Sequence, residues 1–123
     1  MSWGVRGIRG AITVEENTRE DILTATRQLV DRMLEWNQVE TADIASIIFS
    51  VTEDLDAVFP AQSLREPAFR HVPLLDCREI PVPGSLRKCI RVLMHVNTGK
   101  TQAEMVHAYL GSAGALREDL VQP

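Results

Sequence analysis

Hydrophobic and polar positions change period several times along the chain, and each change predicts an element. Over 5–14, VRGIRGAITV, the period is two: Ile8, Gly10, Ile12 and Val14 fall on one face, Gly7, Arg9 and Ala11 on the other, which predicts a first strand. The period then lengthens. Ile22, Ala25, Leu29, Val30, Met33 and Leu34 recur at helical spacing, Thr18 with Asp21 makes an acidic variant of the capping box, and Asn37 offers a stop, so a helix is predicted between them. IASIIFSV at 44–51 is apolar with little alternation and predicts a strand buried on both faces. In TEDLDAVFPAQSLRE, Pro60 suits the first turn of a short helix, and Asp54 and Asp56 read as caps for a short helix beginning near Leu55 rather than as a paired-carboxylate site.

HVPLLD at 71–76 predicts a short third strand, and Pro81, Pro83 and Gly84 a turn. Alternation returns over 88–96, with Ile90, Val92, Met94 and Val96 on one face and Cys89, Arg91, Leu93 and His95 on the other, predicting a fourth strand. Thr101 and Glu104 form a T-x-x-E capping box for a helix carrying Met105, Val106, Tyr109 and Leu110 and closed by Gly111. Residues 112–123 read as a mobile tail. Without a repeat, linker or low-complexity stretch, the order predicts one domain over 1–123 of the α+β class, a mixed sheet with helices packed on one side.

Composition narrows the function. The 123 residues are 45% hydrophobic and 24% charged, enough for one core without metal or disulfide support. Thirteen Lys plus Arg against seventeen Asp plus Glu leave a net charge of −4, which argues against nucleic-acid binding through a basic face, so any anion site must be local. No apolar run approaches the roughly 20 residues of a membrane span. The start, MSWGVRGIRG, lacks a signal-like apolar core, so a cytoplasmic protein is expected. Cys77 and Cys89 lack metal-like spacing and read as reduced thiols, with no metal or cofactor implied.

Two arginines sit in strand interiors, Arg9 between Gly7 and Ala11 and Arg91 between Cys89 and Leu93. A permanently charged guanidinium there needs an anionic partner: a neighbouring acid in an ordinary surface or interface pair, or a bound anion. Glu79 lies between the third strand and the Pro-rich turn, where it is either solvated or a polar acceptor in a cleft. Tyr109 is the only tyrosine, either core packing with its hydroxyl at a rim or a site residue. Sharper motifs fail. GKT at 99–101 lacks the first glycine of a phosphate loop, and Gly4, Gly7 and Gly10 suit a strand closely approached by another backbone better than a dinucleotide fingerprint. His71, His95 and His107 lie on different elements and read as ordinary, partly buried histidines.

With these residues in place, the chain resembles the small monofunctional chorismate mutases of the trimeric α+β type. The resemblance runs through VRGIRGAITV, TEDLDAVFPAQSLRE, HVPLL, REIPVPGSLRKCIRV, HAYL and ALREDL, in order. It implies a homotrimeric pseudo-α/β-barrel with active sites between adjacent subunits, converting chorismate to prephenate in aromatic amino-acid biosynthesis. It also implies roles. Arg9 and Tyr109 would hold a substrate carboxylate, Arg91 would reach the ether oxygen and a carboxylate, and Glu79 would accept the ring hydroxyl's hydrogen bond. Phe59, Ala61 and Arg65 would line the cleft from the neighbouring subunit, Leu75 and Asp76 would also bind substrate, and Leu116 and Arg117 would belong to a mobile tail that covers it. Three positions depart from the family pattern: Asp76 stands where a small polar or thiol residue is usual, Gln62 replaces a rim lysine, and Val106 replaces an arginine.

A Claisen rearrangement needs no nucleophile, proton transfer, metal or cofactor, which accords with the motifs the sequence lacks. Catalysis would come from holding a flexible dianion in its reactive conformer and from donors aimed at growing charge. The alternative is a trimeric anion-binding or regulatory module of the same fold without mutase activity.

Overall fold

The computed structural model describes residues 3–116. Its elements are β1 (Gly4–Thr13), α1 (Arg19–Asn37), β2 (Ile44–Val51), β3 (Leu74–Arg78), β4 (Cys89–Thr98) and β5 (Ala108–Leu110), joined by short 3-10 turns. The five strands form one sheet in the order β3-β2-β4-β1-β5. β4 runs antiparallel to both neighbours, while the outer strands β3 and β5 lie parallel to β2 and β1. The expected α+β class with a mixed sheet and one covered face is what forms.

α1 begins as its sequence dictates. The Thr18 hydroxyl accepts the Asp21 N–H at 3.1 Å, and Gln38 closes the helix in the left-handed region at φ 54°. Its buried stripe, Ile22, Leu29, Val30 and Met33, packs on the sheet face built from Ile8, Ile12, Ile47, Phe49, Ile90, Val92, Met94 and Val96. Gly10 lies under this contact: a Cβ there would stand 2.5 Å from Met33 Sδ and 3.0 Å from Leu29 Cδ1. At Gly10 the expected close approach is thus made by helix side chains and not by another backbone, whereas Gly7 meets only ordinary contacts, with Leu93 at 3.8 Å and Gln102 at 3.9 Å.

Five expectations need correction. The segment after Thr101 is not a helix. The Thr101 N–H does reach the Glu104 carboxylate at 2.8 Å, but the turn stops at Glu104 and the chain extends into β5. Buried Asn37 explains the diversion, because its side chain accepts the Val106 N–H at 2.7 Å and donates to the Val106 carbonyl at 2.8 Å, as a strand neighbour would. Completing the free edge of β1 outweighs a helix of under ten residues, which is marginal by itself.

Within one chain β2 is buried on one face only: Ile47 and Phe49 lie in the core, whereas Ile48 and Ser50 are partly exposed on the other side. No helix begins near Leu55. Asp54 instead accepts the Thr52 hydroxyl and the Lys88 N–H, Asp56 accepts from Asn17, and Pro60–Leu64 is a 3-10 turn with Pro60 leading it. The third strand starts at Leu74 rather than His71, which is exposed. Of the expected tail, Gly111–Leu116 forms a further 3-10 turn, with Ala113 buried against Ala11 and Cys89.

Candidate active site

The sheet face away from α1 carries the unusual arginines. Pairing of Ala11 and Ser50 with Arg91 on its two sides centres that guanidinium on the face, and Arg9 pairs with Leu93 one pleat away. β5 adds Tyr109 opposite Ala11. Together Arg9, Ala11, Ile48, Ser50, Arg91 and Tyr109 border a cavity of about 410 Å³, within the range of small-molecule sites. Tyr109 therefore reaches the site from a strand and not from the expected helix.

The two arginines differ in their partners. Arg91 Nε stands 3.3 Å from Glu79 Oε2, with the side chains 42% and 21% exposed. The buried Nε–H is not directed at the carboxylate, so the pair is a charge contact rather than a hydrogen bond. Glu79 is instead held by β2: Ser50 Oγ donates to Glu79 Oε2 at 3.0 Å, and the Glu79 N–H donates to the Val51 carbonyl at 2.8 Å. Arg9 has its backbone N–H bound to His107 Nδ1 at 2.9 Å, while no carboxylate among the described residues pairs with its guanidinium. A neighbouring acid thus accounts for Arg91 in part, and for Arg9 not at all within the described chain.

The remaining predicted residues lie elsewhere. Phe59 (64% exposed) and Asp76 border a second cavity of about 530 Å³, shared with Arg19, Gln62 and Arg78. Asp76 pairs with Phe49, a core-face residue, and its Oδ1 accepts the Ala61 N–H at 3.1 Å. Burial raises the Asp76 carboxyl above its ordinary value, an effect that the Ala61 N–H only partly offsets. Arg65 is exposed, Ala61 is half-buried, and Leu75 is 57% exposed beside Ile48 on the cavity face. Leu116 ends the last 3-10 turn, and Arg117 lies outside the described residues. One chain therefore gathers Arg9, Glu79, Arg91 and Tyr109, and holds Phe59, Ala61 and Asp76 apart from them.

Sequence reasoning missed Ser50 and assigned Asp54 a different role. A polar residue in apolar IASIIFSV was the available signal for Ser50, legible once β2 is set beside β4 in antiparallel register. Cys89, fully buried behind Arg91, has its thiol pushed up to about 11, first by desolvation, so it is a packing residue at neutral pH. Both cysteines are free. Among the described residues, no cluster of His, Cys, Asp and Glu has metal-site geometry, and no helix is long and apolar enough to cross a membrane.

Comparison with known proteins bears on what this arrangement does. Residues 5–120 match the family model described as chorismate mutase type I. The chain is 53% identical over 117 residues to chorismate mutase AroH of Thermus thermophilus, covering 94% of this chain and 96% of that protein. It is 44% identical over 117 residues to chorismate mutase AroH of Bacillus subtilis, covering 94% and 92%. A solved chorismate mutase from Clostridium thermocellum superposes with a TM-score of 0.86 at 50% identity, covering 89% of this chain and 97% of that one.

Proposed function

The chain belongs to the type I chorismate mutase family, and on that premise we propose that it isomerises chorismate to prephenate at clefts between the subunits of a homotrimer in the cytoplasm. The observation that carries the reading is the cavity on the open sheet face, where Arg9, Arg91 and Tyr109 converge and Glu79 stands against Arg91.

In this rearrangement the ether C–O bond breaks as a C–C bond forms within the same molecule. No proton, electron or group leaves. What the protein supplies is geometry and charge. Arg9 and Tyr109 hold a carboxylate and fix the compact conformer, which removes much of the entropic barrier. Arg91 addresses the ether oxygen and a carboxylate with its planar fork, stabilising the charge that grows as the C–O bond lengthens. Glu79, tied to Ser50 and Val51, presents its carboxylate to the ring hydroxyl.

Two features support a site shared between chains. The cavity face carries half-exposed Leu93 and exposed Leu75 with no cover among the described residues, a surface suited to a neighbouring subunit. Phe59, Ala61 and Arg65, implied by the resemblance to face the substrate, do not border the Arg91 cavity in their own chain, as a donated half-site requires.

Loss of chorismate absorbance on adding purified protein, with prephenate identified as the product, tests the activity. Binding of chorismate without turnover would establish the anion-binding module instead. Shared sites are tested by mixing Arg91→Ala and Arg65→Ala proteins and allowing exchange: sites that combine two intact halves restore activity above either parent. Verified exchange without recovery would refute the shared site.

A further inference from the structure

We propose that Asp54, acting with Thr52, is a positioning residue for the Glu79–Arg91 pair: it clamps the base of the loop joining them. The proposal rests on the mutase reading above. Residues 79–88 leave the end of β3 and return into β4, over a cavity of about 260 Å³ lined by Thr52, Asp54, Glu79 and Leu86. From Ile80 to Ser85 the loop is exposed. Both of its ends rest on one short stretch, 50–54.

At the entry, Glu79 is bound to Ser50 and Val51 as described. At the exit, the Lys88 N–H donates to both Asp54 oxygens, at 3.1 and 3.0 Å. The Cys89 N–H donates to Thr52 Oγ1 at 3.0 Å, and the Thr52 N–H returns a bond to the Cys89 carbonyl at 3.1 Å. The Thr52 hydroxyl in turn donates to Asp54 Oδ1 at 2.5 Å.

Two observations show what this clamp holds. Lys88 lies in the left-handed region at φ 48°, a conformation that a residue with a Cβ keeps only when its surroundings impose it. Asp54 holds the amide side of Lys88 through both oxygens, while the Val14 N–H donates to the Lys88 carbonyl at 2.8 Å and Lys88 Nζ to the Glu15 carbonyl at 3.0 Å; of these partners, Asp54 is the one that belongs to the stretch on which Glu79 also rests. The second observation concerns Arg91, three residues further on. Its Nε is buried without a directed acceptor and meets Glu79 only as a charge contact at 3.3 Å, so the position of the guanidinium depends strongly on the backbone from which it grows. The conformation at Lys88 sets how β4 enters the sheet, and hence where Arg91 stands against Glu79. A counter-ion role for Asp54 explains less, since its nearest cation, Arg87, is 3.7 Å away with a side chain 84% exposed.

The test measures kcat and KM for chorismate in Asp54→Ala, Asp54→Asn and the double variant Asp54→Ala/Lys88→Gly, each checked for folding and assembly. Asp54→Ala should lower kcat by about tenfold to a hundredfold, the scale of a misplacement near 1 Å, with a smaller change in KM. Asp54→Asn keeps an oxygen for Thr52 and Lys88 and should stay within about fivefold, as for one lost hydrogen bond. Glycine adopts the left-handed region without strain, so Lys88→Gly should restore most of the kcat lost in Asp54→Ala.

A folded Asp54→Ala protein with native kcat overturns the proposal. So does a loss confined to KM, or a loss of kcat that asparagine does not spare and glycine does not restore. If Asp54→Ala does not fold, Thr52→Val, which removes the hydroxyl from the same clamp, decides: native kcat overturns the proposal and a kcat loss with little change in KM supports it. Absence of turnover in the unaltered protein would overturn the mutase reading and this proposal with it, whereas native kcat in the variants overturns the proposal alone.

Discussion

Replacing Arg91 by lysine keeps the charge and removes the fork, so it separates two accounts of what this side chain does. Arg91 Nε lies 3.3 Å from Glu79 Oε2 while the side chain is 42% exposed towards the cavity, which leaves its terminal nitrogens for a ligand. A lysine has one nitrogen: beside Glu79 it abandons the ligand, and at the ligand it abandons Glu79. The ion pair is the lesser loss, because a pair this solvated contributes at most about 1 kcal/mol. A preorganised donor aimed at developing charge is worth about 3–4 kcal/mol in the transition state, roughly a hundred- to thousandfold in rate. The donor term wins. Arg91→Lys should therefore lose that factor in kcat while its thermal midpoint stays close to native. The assay follows chorismate absorbance at saturating substrate, with assembly checked by sedimentation. A folded Arg91→Lys protein within about fivefold of native kcat, the worth of one ordinary hydrogen bond, would refute the preorganised fork and leave Arg91 as a simple counter-charge.

Two further predictions concern stability. Gly10→Ala drives a methyl to 2.5 Å from Met33 Sδ and 3.0 Å from Leu29 Cδ1, both fully buried, so it should cost about 1–3 kcal/mol by overpacking, near 4 °C of midpoint per kcal/mol at this length; Met33→Ala should partly rescue it in a double-mutant cycle read by calorimetry. Asp76→Asn keeps an acceptor for the Ala61 N–H and removes a carboxylate that burial disfavours, its folded pKa being raised. A raised carboxyl favours the fold when protonated, so this stability falls as pH climbs from the ordinary value of about 3.9 through the raised one. Asp76→Asn should unfold at higher temperature than the native protein at pH 7, and the gap should close below pH 3.9; an equal gap at both pH values would refute the assignment.

Long periodic segments made β1, α1 and β4 legible in the sequence, since ten or more residues of one period leave few alternatives. β2 was harder. Unbroken apolar residues look alike whether both faces are buried in one chain or one is left half-open, and Ile48 and Ser50 are of the second kind. β5 was misread because the signal at Thr101 and Glu104 is real but local. What overrides it, the amide of Asn37 on the Val106 backbone, joins positions 69 apart. The same limit governs the site. Arg9, Arg91 and Glu79 stand out by residue type and place, whereas Ser50 and Asp54 gain meaning only once strands are set side by side.

Strand parity also explains how a chain of net charge −4 can present a cationic site. β1, β4 and β2 bring Arg9 and Arg91 to one face, and Glu79 is the one acid bordering them among the described residues. Asp76 is kept off that face by the pairing of β3 with β2: it lies beside Phe49, a core-facing residue, while its neighbours Leu75 and Cys77 lie beside Ile48 and Ser50. A one-residue slip of β3 would turn Asp76 towards the arginines and add a second carboxylate where a dianion has to bind. The bond from the Ala61 N–H to Asp76 opposes that slip, because it ties the carboxylate to the 3-10 turn on the far side of the sheet. Within one chain the Asp76 charge is thereby held on the opposite face from Arg91, where it pins the turn next to Phe59, so the departure from the family's small polar residue leaves that chain's own arginine face unchanged and bears instead on the half proposed to face a neighbouring subunit.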